Sequence, residues 1–142
     1  MLYSIILTIH IITALCLLAT VLFSDFKALL WMRGKVETLP HKLLVRLHHV
    51  VYGGLVVMLA TGLYMFWPVQ SYLLTQPAFQ LKMLFVFLLL INSIFIGKHL
   101  RLASTNSFTD LTSKQQFTLF FSGAVSFTAW VGALIAATQL GL

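Results

Sequence analysis

Residues 2–23, LYSIILTIHIITALCLLATVLF, decide the fold because they form a long apolar run without a charged residue. A helix needs about 20 apolar residues to cross the hydrocarbon core of a bilayer, and this run supplies them. A secretory signal peptide has a basic start and an apolar core of about 7–15 residues. This run is longer and no cation precedes it, so we expect it to stay attached as a membrane-spanning helix.

The composition excludes a domain that folds in water. Of the 142 residues, 60% are hydrophobic and 8% are charged, and the mean hydropathy is +0.98. Soluble domains carry about 25% charged residues. The net charge of +6 does not indicate nucleic acid as a partner, because the cations stand at the ends of apolar runs. We therefore expect the chain to be embedded in membrane lipid.

Three further apolar runs follow the first, so we expect one membrane domain over residues 1–142. The predicted spans cover about residues 2–24, 41–67, 77–101 and 115–139. Lipid gives helices no hydrophobic reason to associate, so small residues must let them approach closely. Glycines that could do this are Gly53, Gly54 and Gly62 in the second span and Gly132 in the fourth. The prediction is an all-α, integral membrane, antiparallel four-helix bundle.

The distribution of lysine and arginine predicts the orientation of the bundle. The segment between the first two spans carries Lys27, Arg33, Lys35, Lys42 and Arg46. The segment between the last two spans carries Lys98, Arg101 and Lys114, whereas the connection between spans two and three has no charge. Basic loops stay in the cytoplasm, so both termini are expected outside. The expected location is a bacterial cytoplasmic (inner) membrane, crossed several times.

Several local features can also be predicted. Ser113 followed by Gln116 indicates a capping box at the start of the fourth span. Trp31 is expected in an aromatic belt at the inner membrane surface. Cys16 lies in the middle of the first span, where a lone thiol usually behaves as a small buried hydrophobe.

His10 in the first span and Lys82 in the third are the ionisable groups that point to function, since such groups are costly in hydrocarbon. The helical rise places them roughly 12 Å and 7 Å from the outer ends of their spans, so they can share one level. His10 is expected either to bind haem iron as a neutral imidazole or to form a hydrogen bond across helices, to Thr13 or Gln139. Lys82 either pairs with a buried anion such as a propionate or extends its ammonium to the interface.

Three more histidines, His48, His49 and His99, cluster at the predicted inner boundary. One of the adjacent pair could join His99 in holding a second iron or a haem. Alternatively, all three are polar residues at the level of the headgroups. His10 lies on the order of 20 Å from His49 along the bundle, so it cannot share their iron.

Other polar side chains near the spans are expected to hold helices together. Asn92 and Ser93 in the third span should form hydrogen bonds between helices. Asp25 follows the first span and should form an ion pair there, or relay protons. Its candidate partners are Lys27, Arg46 and His48.

Two stretches resemble a known family. Residues 7–12, Leu-Thr-Ile-His-Ile-Ile, resemble the first-span pattern of the HemJ-type protoporphyrinogen IX oxidases, which are small bacterial four-span membrane proteins. Residues 72–86 resemble the start of their third span, where an aromatic residue precedes His-x-Lys, although Gln80 stands at the histidine position here. Residues 47–54 are more similar to the copper-resistance-D-like four-span proteins.

The resemblance implies haem b held by His10, with Lys82 as an essential catalytic and cofactor-binding residue. The expected function is that of a haem-b-binding membrane redox protein. As an enzyme, it would oxidise protoporphyrinogen IX and pass the electrons to quinone. The alternative is a non-enzymatic accessory or assembly subunit of a larger membrane complex, or a homo-oligomer. A carrier that uses the inner histidines is a weaker option, since four spans enclose little space.

Overall fold

The computed structural model describes residues 1–97 and 99–140, and the regular elements within those residues are helical. The α-helices are α1 (Leu2–Met32), α2 (His41–Phe66), α3 (Gln70–Leu73), α4 (Pro77–Gly97), α5 (Leu100–Thr105) and α6 (Ser113–Gln139). Short 3₁₀ turns lie at Trp67–Val69 and Phe108–Asp110. The predicted all-α class is confirmed.

Four helical segments are long and apolar enough to cross a membrane. They cover Leu2–Met32, His41–Leu73, Pro77–Thr105 and Ser113–Gln139. Large apolar side chains cover their outside, and Leu15, Phe87 and Phe120 are each more than half exposed, at 59%, 60% and 64%. Such a surface suits lipid and not water, which is consistent with a multi-pass membrane protein. Helix α1 continues to Met32, beyond the predicted span of residues 2–24.

The long helices pack mainly as two pairs, α1 with α2 and α4 with α6. Gly54 in α2 lies so close to Leu17 in α1 that a Cβ atom there would collide with the leucine side chain. Gly132 in α6 stands in the same relation to Phe85 in α4. The predicted role of these two glycines in close packing is confirmed. Gly53 was expected to share it, but a Cβ atom there would meet nothing within 4 Å.

A hydrophobic cluster lies at the end of the molecule that holds the α1–α2 and α5–α6 connections. Its buried members are Trp31, Leu39, Ala103, Leu111 and Leu119. The Trp31 indole N–H donates to the carbonyl oxygens of Glu37 at 3.1 Å and Asn106 at 3.0 Å. Only 2% of Trp31 is exposed, so its predicted place in an interfacial belt is wrong. The indole is held in the core because both loops offer it a backbone carbonyl.

Two other local predictions are also wrong. The capping box of α6 uses Thr112 and Gln115, one residue before the predicted pair. Thr112 Oγ1 accepts from the Gln115 backbone N–H at 3.2 Å, and Gln115 Oε1 accepts from the Thr112 N–H at 3.0 Å. Gln116 is not free to cap, because its side-chain amide donates to the Phe108 carbonyl at 2.9 Å. Cys16 is exposed on the outside of α1 and not buried.

Candidate functional site

His10 lies on the buried face of α1, where 8% of its surface remains exposed. Its Nδ1 atom is 2.7 Å from Oγ1 of Thr61 in α2. The predicted hydrogen bond across helices therefore exists, but the predicted partners, Thr13 and Gln139, are wrong. The reason is that this face of α1 packs against α2, and Thr61 is the hydroxyl that α2 places at that level.

The hydrogen bonds of Thr61 determine which ring nitrogen of His10 carries the proton. The Thr61 hydroxyl donates to the backbone carbonyl of Val57 at 2.8 Å and lies 3.2 Å from that of Met58. Its single proton is used there, so Oγ1 accepts the hydrogen bond from His10 Nδ1–H. A neutral imidazole with its proton on Nδ1 keeps a lone pair on Nε2. The ring is therefore prepared to bind a metal through Nε2.

The same edge of the His10 ring lies near a residue without a side chain. A Cβ atom at Gly62 would lie 3.6 Å from Cε1 of His10, the carbon between the two ring nitrogens. Gly62 follows Thr61 directly, so one short segment of α2 lies along this edge of the imidazole. Sequence reasoning missed Thr61, although a hydroxyl beside a glycine in an uncharged run was the available signal.

Lys82 lies half-buried on α4. That Lys82 and His10 share one level of the bundle stays a prediction. Among residues 1–97 and 99–140, Lys82 makes no ion pair. The structure thus leaves the Lys82 charge without a carboxylate partner in the described part of the chain.

The predicted inner group of histidines is divided by the structure. His48 and His99 line one cavity between the long helices, whereas His49 is exposed on a groove outside it with His41 and Arg46. The His48 ring lies against α4, where a Cβ atom at Gly97 would be 3.1 Å from Cε1 and Nε2. In the described part of the chain, no group of three His, Cys, Asp or Glu residues could hold a metal ion.

The same cavity has a volume of about 190 Å³ and is also lined by Asp25, Asn92, Ser93 and Ser122. Ser122 Oγ donates to Asn92 Oδ1 at 2.7 Å, and Asn92 Nδ2 donates to the Ser122 carbonyl at 3.2 Å. The predicted helix–helix bond of Asn92 is confirmed. Ser93 was expected to form one too, but its Oγ has no partner among the described residues. Asp25 lines the cavity without the expected ion pair to a described residue.

Comparison of the chain with family models, curated proteins and solved structures gives no match. The described chain is small and helical, and its four long apolar helices are consistent with a multi-pass membrane protein. It has a buried imidazole toward the start of α1 and, toward the other end of that helix, a largely apolar cavity lined by a few polar side chains.

Proposed function

We propose that the chain is a haem-b-binding redox protein of the bacterial cytoplasmic membrane, in which His10 would hold the haem iron. The observation that carries this proposal is the hydrogen bond from His10 Nδ1–H to Thr61, which leaves the Nε2 lone pair for iron. Histidines that bind metals usually donate their other ring N–H in this way, and the bond sets both tautomer and ring orientation. A neutral imidazole is a common ligand of haem iron.

The proposal includes an antiparallel bundle with both termini outside. Its support is the order of contacts between paired helices. His10 contacts Thr61 while Leu17, later in α1, contacts Gly54, which is earlier in α2. The basic residues of the α1–α2 and α5–α6 connections favour the cytoplasm for that end of the bundle.

The residues around His10 fit a haem in their donor chemistry. His10 offers a lone pair, and Lys82 offers a cation that no described carboxylate neutralises and that would attract a propionate. A bound haem would supply one-electron transfer. The chain itself would hold the iron at Nε2, keep the ring in place through Thr61, and exclude water by the burial of His10.

In the enzymatic form of the proposal, protoporphyrinogen IX is the substrate and quinone receives the electrons. Lys82 would bind a propionate of the porphyrinogen, because an ammonium in a half-buried position attracts a carboxylate more strongly than it would in water. We propose this charge interaction as the role of Lys82 in substrate binding.

Absorption spectra of the detergent-purified protein test the haem. After haem-replete expression, we expect a Soret band and an α-band that sharpens on reduction. The bands should disappear in His10→Ala and persist in His49→Ala, an exposed histidine that serves as the matched control. Bands that persist in His10→Ala but are lost in His48→Ala would overturn the assignment in favour of the inner histidines. Complete absence of haem would overturn the redox proposal.

Genetic rescue tests the enzymatic form. The wild-type chain should restore growth to a bacterial host that lacks its own protoporphyrinogen oxidase. Lys82→Gln should not, whereas Lys114→Gln, which changes an exposed lysine in the first turn of α6, should rescue as well as wild type. Failure of the wild-type chain despite normal membrane insertion would contradict the enzymatic form and leave haem binding to be judged from the spectra.

The second candidate function is that of an accessory or assembly subunit, and the outer face of α6 favours it. Phe117, Phe120, Phe121 and Phe127 are all more than half exposed on this helix, and the rings of Phe117 and Phe121 stack with centroids 6.0 Å apart. Such a face can pack on lipid or on a partner helix. Haem-free protein that migrates as part of a larger complex in mild detergent would support this function. A haem-containing monomer would exclude it.

A further inference from the structure

The cavity between α1, α2, α4 and α6 has the size of one small ring. Its volume is about 190 Å³. An apolar cavity of about 150 Å³ inside a protein is known to hold benzene. The space is therefore sufficient for a six-membered ring with one or two small substituents, and it is small beside the pockets of about 300–1,000 Å³ that hold larger ligands.

The cavity walls are largely apolar. They include Val21 of α1, Leu55 of α2, Leu89 of α4 and Trp130 of α6, each of which is at most 6% exposed. These residues belong to the main hydrophobic cluster, so the shape of the cavity is set by the packing of the bundle. Apolar walls with a few convergent polar groups are typical of sites for small molecules.

Ser93 supplies the observation that points to a ligand. Its side chain lines the cavity and is 7% exposed, and its Oγ atom has no hydrogen-bond partner among the described residues. Buried hydroxyl groups in proteins nearly always have a partner, because an unpaired one is costly. The neighbouring residue Asn92 does not provide it, because its side chain is turned toward Ser122 of α6.

Two ionisable side chains face the same cavity. Asp25 of α1 and His48 of α2 both line it. A carboxylate accepts hydrogen bonds, and an imidazole can donate or accept one. With Ser93 they give the cavity three polar groups, from three helices, that can form hydrogen bonds with the hydroxyl or carbonyl groups of a ligand. A neutral ring suits these apolar walls better than an ion, because a buried ion loses more solvation.

We propose that this cavity binds a neutral single-ring molecule of the phenol or hydroquinone class, held by hydrogen bonds to Ser93, Asp25 and His48. The site is separate from His10 and does not depend on haem binding. A free phenol and the headgroup of a membrane quinol share this chemistry. They differ in the hydrocarbon tail, which only the quinol carries.

Isothermal titration calorimetry with hydroquinone, under anaerobic conditions and on the full chain in detergent, tests the proposal. We expect saturable binding of one molecule per chain. Ser93→Ala, Asp25→Asn and His48→Gln should each weaken binding about three- to tenfold, as expected for one lost hydrogen bond. The matched controls, His49→Gln and Ser71→Ala, change exposed residues outside the cavity and should bind like wild type.

Two further variants keep the test decisive. Ser93→Leu should fill part of the cavity and abolish binding, and an unchanged helical circular dichroism spectrum would show that the variant is folded. Protein purified without haem should bind hydroquinone as well as haem-containing protein, so a failed haem proposal and a failed cavity proposal can be told apart. Binding of a hydroquinone with a decyl tail as well as the free ring would identify a lipid-borne quinol, whereas binding of the free ring alone would identify a soluble phenol.

Two results would overturn the proposal. One is hydroquinone uptake that does not exceed uptake by empty detergent micelles or that is equal in all variants. The other is saturable binding of ethylammonium in place of hydroquinone, which would show that Asp25 serves a cation.

Discussion

The contact between His10 and Thr61 shows how a single hydroxyl can determine the chemistry of an imidazole in the membrane. Threonine in a helix commonly bonds a carbonyl of the preceding turn, as Thr61 does with Val57. That bond fixes the direction of the hydroxyl proton, so the oxygen presents a lone pair to α1. His10 therefore has one nitrogen used for structure and the other left with its lone pair.

Replacing Thr61 with valine should destabilise the protein and disturb the orientation of His10. The shape is nearly kept, but the His10 N–H loses its acceptor in a buried place, which costs roughly 1–3 kcal/mol of unfolding free energy. Titration with sodium dodecyl sulfate, followed by circular dichroism, measures this loss. Thr61→Ser keeps the oxygen and should retain most of the stability. Equal stability of the valine and serine variants would contradict the importance of the bond.

At the scale of helices, packing depends on which glycine faces the neighbour. Gly53 and Gly54 are adjacent in α2, yet only Gly54 lies against α1, where Leu17 occupies the place that a Cβ atom would need. The side chain of Leu17 is 2% exposed, so it has little freedom to move away. This close approach joins α1 to α2 between the His10 contact and the cavity.

Gly54→Ala should therefore destabilise the α1–α2 pair. Overpacking of a tight interface costs about 1–3 kcal/mol, and the measurement is again unfolding in sodium dodecyl sulfate. Gly53→Ala is the matched control and should be neutral or stabilising by up to about 1 kcal/mol, because alanine favours a helix and meets no neighbour. A second substitution, Leu17→Val, should recover part of the loss in Gly54→Ala. Equal effects at both glycines would show that the interface is looser than described.

The α4–α6 pair gives a parallel prediction. A Cβ atom at Gly132 would collide with the ring of Phe85, whereas one at Gly123 would meet nothing within 4 Å. Gly132→Ala should lower the unfolding free energy by about 1–3 kcal/mol, and Gly123→Ala should not. Gly132→Ala combined with Phe85→Leu should regain stability, since the smaller side chain makes room. No recovery in the double variant would show that Phe85 is not the group that meets the new methyl.

At the scale of the whole molecule, the sequence predicts the long helices well, but it does not predict which faces of those helices contact one another. Hydropathy identifies the four spans because the thickness of a bilayer imposes their length. It does not identify the partner of His10, because a helix that is apolar all round carries no period to show which face meets a neighbour. The same limitation explains why Ser93 was expected to be bonded and Cys16 to be buried.

The connections at one end of the molecule were harder still to predict, because they form a core of their own. Trp31, at the end of α1, reaches the carbonyl of Asn106, far along the chain, and its ring edge packs on Phe108 with centroids 5.3 Å apart. The backbone N–H of Leu39 also donates to the carbonyl of Ala103 at 2.8 Å. These contacts tie the α1–α2 connection to the α5–α6 connection and close that end of the cavity.

Trp31→Phe should loosen this end of the whole molecule. The ring volume is largely kept, but the carbonyls of Glu37 and Asn106 lose their shared donor, which costs roughly 1–3 kcal/mol. Trypsin should then cut faster at Arg33 and Lys35, which follow α1. Trp67→Phe is the control, because Trp67 is 70% exposed and makes no such bond among the described residues. Because Trp31 is a core residue that joins the two connections, only Trp31→Phe should become sensitive to the protease. Equal sensitivity of the two variants would indicate that Trp31 is an interfacial residue instead.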